Sequence, residues 1–139
     1  MVKILLSDRR FNIDKRRLKT LVEMVMEEES ANNKVINIIY CADKLIKDLN
    51  ARYLNRKLIT DVLAFELEDT DNGDFLGEIY VNLQQAGRQA LENGVSYREE
   101  VGRLTVHGIL HLLGYSDGDK ENRRKMWTRQ ESYLDRWKK

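Results

Sequence analysis

Residues 107–117 read HGILHLLGYSD and contain both histidines of the chain, His107 and His111. On an α-helix, residues four positions apart lie one above the other on the same face, so this spacing points both imidazoles in one direction. Two histidines arranged in this way can bind a single metal ion, as they do in the HExxH helix of zinc peptidases. The stretch therefore predicts a metal-binding helix.

The residues after this helix supply a candidate third ligand. Gly114 is the residue type that ends a helix in the left-handed conformation, and the returning chain would bring Asp117 towards the histidines. The spacing H-x3-H-x2-G-x2-D follows the metzincin pattern HExxHxxGxxH, with Gly108 in place of the Glu and Asp117 in place of the third His. Because that Glu is the general base of peptide hydrolysis, the pattern indicates a metal site but not an ordinary peptidase. We expect Gly108 to leave room beside the ion.

The predicted ligand set is His107, His111 and Asp117. Two nitrogen ligands and one oxygen ligand, with a position left for water, suit one Zn²⁺ ion best. Nickel, iron or manganese are alternatives, because the geometry of the site and the availability of each metal decide which ion binds. The alternative is that both histidines are hydrogen-bonded core residues and that Asp117 merely begins the last helix. Since the only two histidines share a helix face and precede a glycine and an acid, the pattern favours the metal.

Composition places the chain among ordinary globular proteins. It has 139 residues, 42% hydrophobic and 34% charged, without proline, which predicts a single domain over residues 1–139. No apolar run approaches the roughly 18 residues that a membrane span needs, and the start is too soon polar for a signal peptide. The single cysteine, Cys41, excludes an internal disulfide and is expected to be buried. We therefore expect a cytoplasmic protein.

Apolar periodicity predicts the order β-α-β-α-β-β-α-α-α. Strands are expected at residues 2–7, 35–41, 61–67 and 76–81, the last two as a hairpin whose long acidic loop turns at Asn72-Gly73. Helices are expected at about 14–29, from a cap at Asp43, from Asn82 to Gly94, from Ser96 through the histidines, and from about 118. In the last helix, Gln130 and Trp127 are expected to join an apolar core stripe. The fold class is therefore α+β, a mixed four-stranded sheet covered by helices, with the metal-binding helix at its centre because that helix is apolar nearly all round.

Three sequence blocks occur in the order that a known bacterial family shows. Residues 107–115 match H-G-x-L-H-L-x-G-Y. Residues 49–53 and 60–65 match L-N-x-x-Y and T-D-V-L-x-F, and residues 76–79, LGEI, are similar to L-G-D-I. On these blocks, which extend over most of the chain, the sequence resembles the YbeY-type endoribonucleases, which are rRNA maturation and ribosome quality-control factors.

The chain departs from the family pattern at several positions. The family's third His is Asp117 here, and the Asp before it is Ser116. The Arg that follows the family's Tyr is replaced by Leu54, and Arg56, two residues further on, is the candidate to contact a phosphate in its place. Arg123 and Arg124, which follow the metal motif, are further candidates for a phosphate backbone.

The resemblance implies a single-strand-specific, metal-dependent endoribonuclease that matures the 3′ end of 16S rRNA and acts in ribosome quality control. Its partner would be RNA of the small ribosomal subunit, with ribosomal proteins or a GTPase as candidate protein partners. A metal-activated water would hydrolyse the phosphodiester. The general base would be hydroxide or a carboxylate, Asp61 or Glu78, although Asp61 is equally a candidate for a structural cap. Two alternatives stay open: a metallohydrolase of another substrate, including a peptidase, and a ribosome-associated RNA-binding protein with a structural metal.

Overall fold

A computed structural model describes residues 2–67 and 74–138 of the chain. Within these ranges the elements are β1 (Val2–Leu6), α1 (Lys15–Glu28), β2 (Val35–Cys41), α2 (Asp43–Tyr53), β3 (Val62–Glu66), β4 (Phe75–Asn82), α3 (Leu83–Asn93), α4 (Tyr97–Leu112) and α5 (Lys120–Lys138). The predicted order is confirmed. The turn predicted at Asn72-Gly73 lies outside the described ranges.

The four strands form one mixed sheet in the order β1-β2-β4-β3. β1 and β4 both run parallel to β2, and Ile38 of β2 lies between Ile4 and Ile79. β3 closes the sheet as an antiparallel neighbour of β4, with Ala64 opposite Ile79, which confirms the predicted hairpin. β2 is a central strand, as its apolar residues on both faces predicted.

Helices cover both faces of the sheet. On one face, α1, α4 and α5 enclose the main core, which includes Ile38 and Tyr40 of β2 and Ile79 of β4. On the other face α2 packs Ile46 against Cys41 and Leu63. This division follows the strand alternation, in which successive side chains point to opposite faces. The mixed sheet covered by helices is therefore the α+β fold that the sequence predicted.

Cys41 is fully buried, as predicted. Burial, together with the nearby Asp43 carboxylate, raises the pKa of its thiol to about 12. The thiol is therefore protonated and unreactive at neutral pH. No helix in the described parts of the chain is long and apolar enough to cross a membrane.

At Gly108 the central helix α4 packs closely against the sheet. A Cβ atom at Gly108 would lie 2.7 Å from Cγ2 of Ile79 and 3.2 Å from Cγ2 of Val62. The expectation that Gly108 leaves room beside an ion is therefore wrong. Neighbouring helix positions point about 100° apart, so Gly108 faces the sheet in a different direction from His107.

The predicted helix ends are largely confirmed. Asn82 accepts hydrogen bonds from the backbone N–H groups at the start of α3, and Ser96 does the same for α4. Gly94 ends α3 with a φ of 66°. The predicted cap at Asp43 is wrong, because Ala42 precedes α2 and Asp43 is its first helical residue. The Asp43 carboxylate instead accepts hydrogen bonds from Arg88, at 2.7 Å, and from Asn82, at 2.8 Å.

Candidate active site on the histidine helix

The two histidines lie in the last turns of α4. His107 is half-buried, whereas His111 is exposed next to the end of the helix. Their spacing of one turn places both imidazoles on the same side of α4. The imidazole of His107 is therefore held by its surroundings, whereas that of His111 is open to solvent.

His107 has a defined hydrogen-bond partner on α5. Its Nδ1 lies 2.9 Å from Oε1 of Gln130, a side chain only 3% exposed. The amide nitrogen of Gln130 donates to Glu131 at 3.1 Å, which turns the amide oxygen towards the histidine. Because that oxygen can only accept, Nδ1 of a neutral His107 carries the proton and Nε2 keeps its lone pair. This arrangement fits a metal ligand that binds through Nε2.

The chain turns back after α4 as predicted. Gly114 has a φ of 102°, and the backbone N–H of Tyr115 donates to the carbonyl of Leu110 at 3.0 Å. The Tyr115 hydroxyl donates to Glu29 at 2.8 Å, which ties the turn to the end of α1. This anchor fixes the backbone two residues before Asp117.

Asp117 lies exposed on the segment between the turn and α5. Within the described ranges no three His, Cys, Asp or Glu side chains are arranged to hold a metal ion. The structure thus places His107 and His111 on one helix face but does not bring Asp117 to them, and the zinc site stays a prediction. The cap at the start of α5 is Asp119, whose carboxylate accepts from the backbone N–H of Asn122 at 2.9 Å. The alternative role of Asp117 as a helix start is therefore filled by Asp119.

Asp61 shares a cavity with His107. The cavity, of about 500 Å³, lies between α3, α4, α5 and the start of β3, and both residues line it. The backbone carbonyl of Asp61 accepts from the N–H of Asn82 at 2.8 Å, whereas no described residue binds its carboxylate. The structural-cap alternative for Asp61 therefore has no support among the described contacts. A carboxylate without a described partner, on the same cavity as an imidazole, is a candidate general base.

Glu78, the other candidate base, is on the opposite side of the sheet. It accepts a hydrogen bond from the hydroxyl of Tyr80 at 3.2 Å, on the face that α2 covers. Of the two candidate carboxylates, only Asp61 lines the cavity that contains His107.

Arg56 lies in the irregular segment between α2 and β3. Its backbone N–H donates to the carbonyl of Asn50 at 3.1 Å, and its guanidinium lies 3.4 Å from the Asn50 amide oxygen. Asn50 is fully buried and also donates to Leu58 and Thr60, so it fixes the shape of the whole segment. Arg56 is exposed and does not line the cavity of His107 and Asp61.

Sequence reasoning missed an ionic network on the wall of this cavity. Arg103 bridges three carboxylates, at 3.0 Å to Glu99, 2.8 Å to Glu100 and 2.8 Å to Glu131. Burial alone would raise the pKa of Glu131, but the hydrogen bonds from Arg103 and Gln130 outweigh it and hold that pKa below its usual value. Glu131 is therefore ionised at neutral pH and holds the Gln130 amide in place. The three- and four-residue spacing of Glu99 and Glu100 from Arg103 was the available signal.

The family of the chain is shown by comparison with known proteins. The sequence profile of the family described as Endoribonuclease YbeY matches residues 3–138. An Endoribonuclease YbeY of Chlorobaculum parvum is 36% identical over 124 residues, which cover 89% of this chain and 86% of the relative. Another, from Desulforamulus reducens, is 37% identical over 127 residues, covering 86% of this chain and 83% of the relative.

The fold agrees with this relationship. A solution structure of a Thermotoga maritima protein superposes with a TM-score of 0.70 at 28% identity, covering 99% of this chain and 89% of that one. The sequence match and the shared fold extend over the elements that carry the histidines, Asp61 and Arg56. The chain belongs to the YbeY endoribonuclease family.

Proposed function

We propose that the protein is a metal-dependent endoribonuclease of single-stranded RNA that acts in rRNA maturation and ribosome quality control. The observation that carries the proposal is the hydrogen bond that orients the imidazole of His107. Its Nδ1 is bound to a buried amide oxygen, which leaves Nε2 free one helical turn from His111, beside the cavity that contains Asp61. Membership of the YbeY endoribonuclease family supports RNA as the substrate.

The ion would be one Zn²⁺, held by the imidazoles of His107 and His111 with Asp117 as the third ligand. Histidine nitrogen and carboxylate oxygen are both ordinary zinc ligands. When bound, the ion would supply an activated water and polarise a phosphoryl oxygen of the substrate.

The other residues of the site have separate proposed roles in orienting the ligand, accepting a proton and binding RNA. Gln130 orients His107 through the bond to Nδ1. Asp61 is proposed to accept a proton from the attacking water, because its carboxylate has no partner among the described residues and lines the same cavity as His107. Arg56 is proposed to contact an RNA phosphate from outside that cavity, and Arg123 and Arg124 are further candidates for the backbone.

The substrate in the cell would be rRNA of the small ribosomal subunit near the 3′ end of 16S rRNA, processed in the cytoplasm. This assignment rests on the resemblance of the three sequence blocks, and ribosomal proteins or a GTPase would be the protein partners. A peptidase is disfavoured, because the position of its general base is Gly108, which faces Ile79 of the sheet.

The decisive experiment combines metal analysis with cleavage of a circular single-stranded RNA, which has no ends and so reports endonuclease action alone. The parent should contain about one zinc per chain and linearise the circle. His111→Ala should lose most of the metal and the cleavage but keep the fold, since His111 is exposed. Leu91→Ala, at an exposed position on α3, is the control and should behave as the parent.

Two results would contradict the proposal. One is a parent that carries metal but leaves the circular RNA intact. The other is cleavage that persists in metal-free His111→Ala protein. If removal of zinc abolished cleavage only by unfolding the chain, the alternative of a structural metal would be favoured, so the thermal unfolding midpoint is measured in parallel.

A further inference from the structure

Trp127 on α5 is not a core residue. Its side chain is 56% exposed, contrary to the expectation that it packs in the apolar stripe. The guanidinium of Arg103 lies 5.9 Å from the centre of its ring, and the indole lines the cavity that contains His107 and Asp61. A large aromatic ring held at the rim of a cavity is the arrangement in which proteins stack planar ligands.

Away from the histidines that would hold the ion, the charges of this cavity disfavour a phosphate. Its charged lining groups are the carboxylates of Asp61 and Glu100 and the guanidinium of Arg103. Arg103 is already bound to Glu100 and to the neighbouring Glu99 and Glu131. An anion beside Trp127 would meet more negative than positive side-chain charge, whereas an uncharged group there would meet no repulsion.

The remaining lining groups suit a planar ligand with hydrogen-bonding edges. The exposed residue Asn93 lines the cavity and offers an amide, and Val95 and Leu104 add apolar surface. Arg123, four residues before Trp127, is exposed on an adjacent part of α5, where it can meet a phosphate outside the cavity.

We propose that the part of this cavity around Trp127 is a nucleobase subsite: one base of the RNA strand stacks on Trp127, while the phosphate to be cleaved lies at the histidines and the other phosphates stay outside the cavity. The inference rests on the proposed action on RNA and adds to it the part of the substrate that this cavity takes. Stacking of a base on an aromatic side chain changes affinity by about 5- to 150-fold.

The test compares two single-stranded probes of equal length, a ten-nucleotide oligouridylate and the corresponding abasic backbone, which carries the same phosphates. Binding is measured with zinc-loaded protein under conditions in which cleavage is slow. The parent should prefer the oligouridylate, and Trp127→Ala should lose most of that preference. Trp127→Phe should keep much of it, because the ring is retained. Leu91→Ala is the matched control at another exposed apolar position.

A second readout separates stacking from charge. The salt dependence of oligouridylate binding should be the same in Trp127→Ala as in the parent, because no phosphate contact is removed. The fluorescence of Trp127 in a Trp137→Phe background should also change on oligouridylate binding and not on binding of the abasic probe. Zinc content and the unfolding midpoint confirm that each variant is folded.

The outcomes are distinct. If the parent cleaves the circular RNA but Trp127→Ala keeps the full preference for bases, the nucleobase subsite is overturned and the proposed nuclease stands. A parent that binds both probes equally also overturns the subsite. A parent that neither binds nor cleaves RNA overturns the proposed function together with the inference that depends on it.

Discussion

Gly108 of α4 packs directly against Ile79 of β4, at the residue next to the first histidine. Gly108→Ala should therefore destabilise the protein by about 1–3 kcal/mol, because the added methyl group has to push the helix away from the sheet. Gly87→Ala is the control: nothing lies within 4 Å of a Cβ there, so this helical substitution should be neutral or stabilising. Urea unfolding of both variants checks the prediction. Equal stability of the two would show that α4 can move without cost.

The bond from His107 to Gln130 predicts an effect on metal binding. Gln130→Leu should weaken zinc affinity about 10- to 100-fold, because His107 would lose the acceptor that fixes its tautomer and ring orientation. Gln89→Leu changes another amide on the same cavity, one bound to Glu100, and should leave zinc affinity as it is. Competition with a chromophoric chelator measures both. In the metal-free parent, nitrogen NMR should show the proton of His107 on Nδ1, and a proton on Nε2 would contradict the assignment.

Asp117 is predicted to be the third ligand although the turn leaves it exposed. Asp117→Ala should weaken zinc binding, whereas Asp117→His should preserve it, since carboxylate oxygen and imidazole nitrogen both bind zinc at about 2 Å. Metal analysis and competition with a chelator measure the zinc affinity of both variants. If Asp117→Ala binds zinc as tightly as the parent, the third ligand lies elsewhere, and Ser116 is the nearest candidate that does not cap α5.

Arg56 is predicted to contact an RNA phosphate. Arg56→Ala should lower RNA affinity and make the dependence of log affinity on log salt shallower by about one unit or less, with unchanged zinc content. Arg16→Ala removes an exposed arginine on α1 and is the control for net charge. A salt series with single-stranded RNA distinguishes the two. Identical slopes for both variants and the parent would leave Arg56 with only its contact to Asn50.

Glu29 accepts a hydrogen bond from Tyr115 in the turn after α4, and its carboxylate affects the stability of the fold in acid. Burial raises the pKa of its carboxyl, but hydrogen bonds from Tyr133, Tyr115 and Arg129 outweigh this and hold the pKa below the ordinary 4.5. A carboxylate with a lowered pKa stabilises the fold fully above its unfolded-state pKa, and this stabilisation is lost as the pH falls through the folded-state value.

The parent should accordingly unfold at a higher temperature than Glu29→Gln at about pH 7, and this advantage should shrink as the pH falls below about 4.5. Glu28→Gln removes an exposed neighbour that pairs with Arg136 at 3.4 Å and should show a much smaller difference at either pH. Thermal unfolding across the pH range measures both variants. A difference between the parent and Glu29→Gln that does not vary with pH would contradict the pKa argument.

The elements and their order could be predicted because each is marked by its own residues. Strand β2 reads as an apolar run, α4 follows a Ser96 cap, and Gly94 and Gly114 take the left-handed conformations that their positions predicted. The endoribonuclease family likewise followed from short blocks of sequence. Both kinds of signal are local, so a single sequence contains them.

Relations between distant segments could not be predicted in the same way. Gln130 is 23 residues from His107, and as a polar residue on an apolar stripe it showed only that some partner must exist. Trp127 was assigned to the core because helical spacing does not tell which edge of a stripe borders a cavity. The spacing to Asp117 fixed the length of the turn but not the direction of the side chain beyond it.

The strand order has a consequence for how the protein folds. β3 and β4 are consecutive in the chain, but the pairing of β2 with β4 brings Ile38 beside Ile79 and has to enclose α2 and β3. Closing so long a segment costs entropy before its contacts form, and non-local pairings of this kind slow folding. Until that step is complete, the apolar strand β2 has an unpaired edge that another chain can join. The yield of refolding should therefore fall as protein concentration rises, even under conditions where the native state is stable.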